Sequence, residues 1–149
     1  MRLTKNFTLD EFLVSQTAVR NDIDMTPPQE FIDNLQNLCV HVLQPLRDYV
    51  GASIHISSGY RPPELNEIIG GSKTSAHRFG RAADFTVDGQ TPYDTVEIMI
   101  DLDLVYDQVI HEFGKWVHVG ISDLPRSEVL TAKREDGKTR YIRGLQHVG

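Results

Sequence analysis

The chain has 149 residues, a formal net charge of −6 and a pI of about 5.4, and this length is typical of one domain. An acidic chain lacks the basic face that neutralises phosphates, so we expect no nucleic acid partner. No window approaches the roughly 20 apolar residues of a membrane span, and residues 1–8 lack the apolar core of a signal peptide. We therefore expect a soluble protein that is made in the cytoplasm.

The first predicted element is a short N-terminal helix. Thr8-Leu9-Asp10-Glu11 has the pattern of a capping box, in which an acidic side chain reaches back to the residue that caps the helix. Phe7 and Phe12 flank this box with the spacing of a hydrophobic staple. Residues 21–25 are then predicted to form a loop.

The main core helix is predicted to begin at Thr26-Pro27-Pro28-Gln29, with threonine as its cap and proline in its first turn. Apolar residues recur at helical spacing from there to Gly51. Pro45 lies inside this pattern and has no backbone N–H, so it should interrupt the helix near Val42. The single cysteine, Cys39, lies among apolar residues, which indicates a buried thiol without a disulfide partner.

Short strands and helices alternate in the middle of the chain. The predicted elements are, in order, a strand at 54–57, a helix at 62–69, a loop at 72–81, a buried strand at 82–87 and a helix that opens at Thr91-Pro92. Val96, Met99 and Ile100 should form the apolar face of that last helix.

Strands dominate the C-terminal part. Two are predicted at 104–112 and 116–121, and two more at 129–134 and 139–142, where Asp136-Gly137 favours a type I′ hairpin. Helices early in the chain and strands later predict an α+β fold. We expect a single domain over residues 1–149, with an antiparallel sheet, helices packed mainly on one side, and a metal site in an open cleft.

Three side chains have the chemistry of a metal site. His77 and Asp84 flank the start of the buried strand at 82–87, and His118 lies in the strand at 116–121. Two imidazoles and one carboxylate form a ligand set that suits zinc and leaves one tetrahedral position for water. The pattern therefore predicts a catalytic zinc site rather than a structural one.

Five short motifs occur in order along the chain. They are Ser58-Gly59-Tyr60-Arg61-Pro62, Gly70-Gly71-Ser72, Ser75-Ala76-His77, Gly80-Arg81-Ala82-Ala83-Asp84 and Trp116-Val117-His118-Val119. Together they resemble the M15 family of zinc peptidases, and within it the phage-type and murein-endopeptidase branch. The resemblance covers nearly the whole chain.

The resemblance implies roles for individual residues. The positions that match His77, Asp84 and His118 bind zinc in the family. Arg61 matches an arginine that points into the active site and stabilises substrate or developing oxyanion charge, although a structural salt bridge with a nearby acid is the alternative. We also expect Ser75 and Trp116 to contact substrate, and Trp116 could equally pack in the core.

The general base is the point at which the sequence departs from the family. Much of the family has a glutamate three residues before the last zinc histidine, where this chain has Lys115. The nearest carboxylate is Glu112. If residues 113–115 form a three-residue loop, Glu112 shares a face with His118, whereas a two-residue loop would put His111 there. We favour Glu112 and keep His111 as the alternative.

The resemblance implies a zinc metallopeptidase that hydrolyses peptidoglycan stem or cross-link peptides as a phage-type lytic endopeptidase. A D-alanyl-D-alanine carboxypeptidase and a non-catalytic zinc-containing murein-binding module are the alternatives. Basic residues cluster only at 133–134 and 138–143, so we expect the protein to rely on a holin-like helper protein for release. It would then act on the cell wall. We also expect a monomer.

Overall fold

A six-stranded sheet lies at the centre of the computed structural model, which describes residues 1–148 as a single α+β domain. A short antiparallel pair precedes this sheet in the chain. The strands of the pair are β1 (Arg2–Thr4) and β2 (Phe7–Thr8), and those of the sheet are β3 (Ile54–Ser58), β4 (Ala82–Val87), β5 (Gln108–Glu112), β6 (Trp116–Gly120), β7 (Glu128–Glu135) and β8 (Lys138–Arg143).

The strand order of the sheet is β3-β4-β6-β5-β7-β8, and only the β5–β7 pair is parallel. The prediction of an antiparallel sheet is therefore wrong at this pair. Because β5 and β6 are antiparallel, β6 ends at the edge of the sheet where β5 begins. Strand β7 starts at that same edge, where the Glu128 N–H donates to the Asp107 carbonyl at 2.9 Å. It therefore runs parallel to β5.

Residues 1–148 contain five α-helices, together with three tighter or wider helical turns. The helices are α1 (Gln16–Arg20), α2 (Gln29–Leu38), α3 (Gln44–Val50), α4 (Pro63–Ile69) and α5 (Pro92–Asp101). The turns are two 3₁₀ segments, Leu9–Phe12 and Ala76–Phe79, and a π-helical turn, Cys39–Leu43. Within residues 1–148, no helix has the length and apolar character that crossing a membrane requires.

The predicted helix starts have different outcomes. At the first, the Glu11 carboxylate accepts a hydrogen bond from the Thr8 N–H at 2.6 Å, as a capping box requires, although the helix is a single 3₁₀ turn. At the second, the helix begins at Gln29 with Pro28 as its cap, so the prediction of Thr26 was wrong. A residue before proline is held extended, and the helix therefore cannot begin before Pro28.

Pro45 interrupts the long helix as predicted. The Gln44 N–H bonds to the carbonyl of Cys39, five residues earlier, so the chain widens into a π-helical turn before α3. Cys39 is completely buried in this turn, and burial raises the pKa of its thiol to about 12.

One face of the sheet packs against the helices and forms the core. Phe85, Val117 and Val119 are fully buried there, and α5 packs on β4, β5 and β6. The expected apolar face of α5 is correct at Val96 and Met99, but Ile100 is 42% exposed and Thr95 takes its place in the buried stripe. Residues 95, 96 and 99 lie on one side of a helix, whereas residue 100 turns outward.

The strands around the β5–β6 hairpin are shorter than predicted. Pairing starts at Gln108 with both neighbouring strands, so residues 104–107 precede β5, and β6 ends at Gly120 rather than at Ile121. The β7–β8 hairpin has the predicted turn, because Asp136 and Gly137 both have positive φ angles, as a type I′ turn needs.

Candidate metal centre and its cleft

His77, Asp84 and His118 converge on the face of the sheet opposite the helical core. Their ligand atoms all lie within 4.8 Å of one another. Asp84 and His118 are directly paired across β4 and β6, and His77 comes from the 3₁₀ turn just before β4. Two rigid strands and a short turn therefore hold the three side chains that the sequence predicted.

Asp84 is the centre of this cluster. Its Oδ1 atom lies 2.9 Å from His118 Nδ1 and 3.3 Å from His77 Nε2. Burial alone would raise the pKa of the Asp84 carboxyl, but the hydrogen bond from His118 and the nearby ring of His77 outweigh it and hold that pKa well below its usual range. Burial lowers the pKa of His77. The cluster therefore combines an ionised carboxylate with a neutral imidazole, as metal coordination requires.

The orientation of His77 depends on the Ser-Gly-Tyr segment that follows β3. His77 Nδ1 lies 2.8 Å from the carbonyl oxygen of Gly59 and donates to it, so Nε2 is directed towards Asp84. Only glycine fits at position 59, because a Cβ there would lie 2.6 Å from the carbonyl oxygen of Phe12. The glycine thus allows the backbone to approach Phe12 and, through its carbonyl, sets the ring of His77.

Arg61 lies beside the cluster and is hydrogen-bonded on two sides. Its Nε donates to Ser58 Oγ at 3.1 Å, and its Nη2 lies 3.4 Å from Asp84 Oδ2. The salt bridge that the sequence left as an alternative is therefore formed, and its partner is the central carboxylate. Within residues 1–148, Nη1 of Arg61 has no hydrogen-bond partner, so one edge of the guanidinium stays available.

The register of the β5–β6 hairpin decides between Glu112 and His111. Glu112 pairs with Trp116, so residues 113–115 form the three-residue loop and Glu112 faces the same side as His118. His111 faces the helical core instead, where it is 2% exposed and packs edge-on against Tyr93. The alternative in which His111 shares the face of His118 is therefore wrong, and Glu112 remains the candidate general base.

Glu112 lies half-buried in the cleft. Burial, followed by the negative charge of Asp84, raises the pKa of its carboxyl above the usual value of 4.5. A carboxyl whose pKa is raised towards neutrality is suited to accept and return a proton.

The cluster opens into a cleft of about 480 Å³. Ser75 and Trp116 line it, as does Tyr141 from β8. The Ser75 hydroxyl also accepts a hydrogen bond from the His77 N–H at 3.3 Å, so it stabilises the turn that carries a candidate ligand. The indole N–H of Trp116 is buried without an acceptor in the described part of the chain, although it lies near Glu112.

The donor set and the surroundings of the cluster fit a divalent transition metal. Two imidazole nitrogens and a carboxylate oxygen from three separate elements provide three positions, and the cleft leaves a further one for water or substrate. The sequence did not single out Tyr141, since no motif marks it. Its place in the cleft follows from β7 lying beside β5, which the alternating pattern of a strand cannot reveal.

A family model described as Peptidase M15 matches residues 5–120 of the chain. This range contains all three members of the cluster, together with Arg61 and Glu112, and ends before β7. No curated protein matches the chain.

Proposed function

Because the chain belongs to the peptidase M15 family, a family of metalloenzymes, we propose that it is a zinc-dependent peptidase acting on peptidoglycan stem or cross-link peptides, as a phage-type lytic endopeptidase. The observation that carries this proposal is the convergence of His77, Asp84 and His118 in a cleft that also contains Glu112. The proposed site of action is the cell wall, after release with the help of a second protein.

The imidazoles of His77 and His118 and the carboxylate of Asp84 would hold the ion. Zinc bound at this position would supply Lewis-acid polarisation of the scissile carbonyl and would lower the pKa of a bound water to about 7. The Gly59 carbonyl supports this role, because its hydrogen bond to Nδ1 keeps Nε2 of His77 unprotonated and available.

Glu112 is the proposed general base. Its carboxylate would take a proton from the attacking water and return that proton to the leaving amine. The raised pKa of Glu112 favours both halves of this transfer, since the group then titrates nearer to neutral pH. The side chain of Lys115 lies in the connecting loop and cannot act as a base while it is charged.

Arg61 is proposed to bind the substrate carbonyl oxygen as negative charge develops on it. Two of its nitrogens are held by Ser58 and Asp84, so the guanidinium is positioned before substrate arrives. The remaining Nη1 can then donate to the oxyanion without a loss of side-chain freedom. Ser75 and Trp116 would contact the substrate peptide on the walls of the cleft.

Digestion of purified murein by the zinc-loaded protein, with and without chelator, tests this function. We expect clearing that depends on the metal, and mass spectrometry of the released fragments will identify the bond that is cut. Products shortened by one terminal D-alanine would indicate a carboxypeptidase instead. A correctly folded, zinc-loaded protein that clears no murein and releases no peptide would reject the proposal.

The replacement of the family glutamate by Lys115 motivates one other candidate, a murein-binding module without catalysis. Comparison of Glu112→Ala with His118→Ala separates the two. For a peptidase, both substitutions abolish hydrolysis and only His118→Ala releases zinc. For a binding module, Glu112→Ala leaves every measured property unchanged.

A further inference from the structure

The β7–β8 hairpin contributes Tyr141 to the lining of the cleft, although the hairpin lies beyond the residues that match the family model. The register aligns Glu112 on β5 with Ala132 on β7 and Tyr141 on β8. Side chains of residues paired in this way point to the same face of a sheet. Tyr141 therefore shares a face with Glu112, and it lines the same cleft.

Arg143 lies two residues further along β8, on the same face. The register runs from His118 through Ile110 and Leu130 to Arg143, so the arginine ends the row that starts at the metal cluster. Arg143 is exposed and, within residues 1–148, forms no ion pair. Arg143 does not line the cleft itself, but it lies on the same face of the sheet as the cleft and is free to bind a ligand.

The other basic side chains of this region are already engaged or face away. Lys133 and Arg140 lie on the opposite face and pair with Glu135 at 3.1 and 2.8 Å. Arg126 binds the Asp107 carboxylate through two nitrogens at 2.9 Å. Arg134 lies over the ring of Phe113 at 5.6 Å. Among these basic side chains, Arg143 is therefore the one that lies on the cleft face and has no ion pair or aromatic contact within residues 1–148.

Tyr141 supplies a hydrogen-bond donor next to it. A tyrosine hydroxyl keeps its proton at neutral pH, and partial burial, followed by the charge of Glu112, raises the pKa of Tyr141 further. A phenolic O–H and a guanidinium together suit a carboxylate.

We propose that Tyr141 and Arg143 form a carboxylate-binding subsite, so that the preferred substrate is a peptide with a free carboxylate on the hairpin side of the scissile bond. The proposal rests on the proposed peptidase function of the adjoining cluster. Three strand spacings of about 4.8 Å separate the backbones of His118 and Arg143, and an extended peptide advances about 3.3 Å per residue. With the reach of the arginine side chain, the carboxylate would lie about two to four residues from the scissile bond.

Equilibrium binding of three synthetic peptides to the zinc-loaded full chain tests the subsite. The probes are L-Ala-γ-D-Glu-L-Lys-D-Ala-D-Ala and two amidated forms of it. The D-isoglutamine form lacks the α-carboxylate of D-Glu, and the C-terminal amide lacks the terminal carboxylate. All proteins carry Glu112→Gln, so that the peptides stay intact. Arg143→Gln is compared with Arg140→Gln, which removes the same charge from the opposite face of the same strand.

We expect Arg143→Gln to weaken binding of the free acid by about 5- to 20-fold, and Arg140→Gln by less than about 2-fold. Tyr141→Phe should weaken binding by a smaller factor of about 2 to 5. The effect of Arg143→Gln should disappear with one of the two amidated peptides, which identifies the recognised carboxylate. Equal effects of the two arginine substitutions, the same Arg143→Gln effect on all three peptides, or no binding of the free acid would each overturn the subsite.

The binding measurement also separates the failure of this proposal from failure of the proposed function. A chain that cleaves no murein but binds the acidic peptide through Arg143 rejects the peptidase and supports the subsite. A chain that cleaves murein with no contribution from Arg143 or Tyr141 supports the peptidase and rejects the subsite.

Discussion

Glu112 and Trp116 are cross-strand partners at the end of the β5–β6 hairpin, and this pairing turns the Glu112 carboxylate towards the face that carries His118. A loop one residue shorter would have brought His111 to that face. The identity of the candidate base therefore depends on the length of a single turn.

Glu112→Gln should lower kcat for murein hydrolysis by about 10²- to 10⁴-fold, because general acid–base catalysis contributes a factor of that size. The variant should still bind zinc, since Glu112 is not among the three clustered ligand candidates. Single-turnover assays and metal analysis of the same sample check both expectations. Activity within about 3-fold of wild type would show that another group is the base.

The same substitution should stabilise the metal-free protein at neutral pH. The pKa of Glu112 is raised in the folded state, so the folded chain binds its proton more tightly than the unfolded chain does. This contribution to stability is present below the unfolded value of 4.5 and is lost as the pH rises through the raised folded value. Urea unfolding with chelator should therefore show a higher free energy of unfolding for Glu112→Gln at pH 7, and little difference at pH 4. A variant that is less stable than wild type at pH 7 would contradict this assignment.

Gly59→Ala should destabilise the protein by about 1–3 kcal/mol and weaken metal binding, because the added Cβ collides with the Phe12 carbonyl. The shift of the Gly59 backbone would also disturb the hydrogen bond that orients His77. Gly120→Ala is the matched control for stability, since the nearest atom to its Cβ lies 3.7 Å away. It is not a control for metal binding, because that Cβ also lies 3.8 Å from His118 Nε2. Thermal unfolding of both variants with chelator measures the difference in stability, and zinc titration compares Gly59→Ala with wild type. Equal thermal stability of the two variants would remove the packing argument for Gly59.

Arg61→Lys should lower kcat/KM by about 10- to 100-fold while zinc stays bound. Arg61 contacts Ser58 and Asp84 through two different nitrogens and has a third left for the substrate. A lysine carries all its donors on one nitrogen and cannot reproduce this spacing. Arg81→Lys provides the control, because Arg81 lies outside the cleft and only reaches Asp123 at 3.8 Å. Steady-state kinetics on a soluble murein peptide checks both variants. Similar losses for the two would point to a general effect of arginine replacement.

Much of the metal cluster could be predicted from the sequence, because His77, Asp84 and His118 lie in ordered motifs whose chemistry suits zinc. The side of the sheet to which Glu112 points could not be predicted from the sequence. The loop that sets it places Phe113 at a φ of 59°, a left-handed conformation that a non-glycine residue seldom adopts. Sequence patterns therefore gave no reason to prefer the three-residue loop.

The position of the β8 side chains relative to the cleft also could not be predicted from the sequence. Alternation in β8 shows that Tyr141 and Arg143 share a face, but it does not show which strand lies next to β7. The parallel β5–β7 pair brings that face into line with Glu112, and such a pair depends on long-range contacts. Local pattern thus predicts faces, whereas the order of the strands determines which faces meet.

The metal content of purified protein tests the central claim most directly, with His118→Ala compared with His111→Ala. The two histidines lie on β6 and β5, but only His118 faces Asp84, whereas His111 is buried against Tyr93. We predict one zinc ion per chain in wild type and in His111→Ala, even though the latter should lose about 1–3 kcal/mol of stability, and none in His118→Ala after dialysis. Zinc retained at one ion per chain in His118→Ala, or a wild-type chain that binds no zinc, would contradict the account.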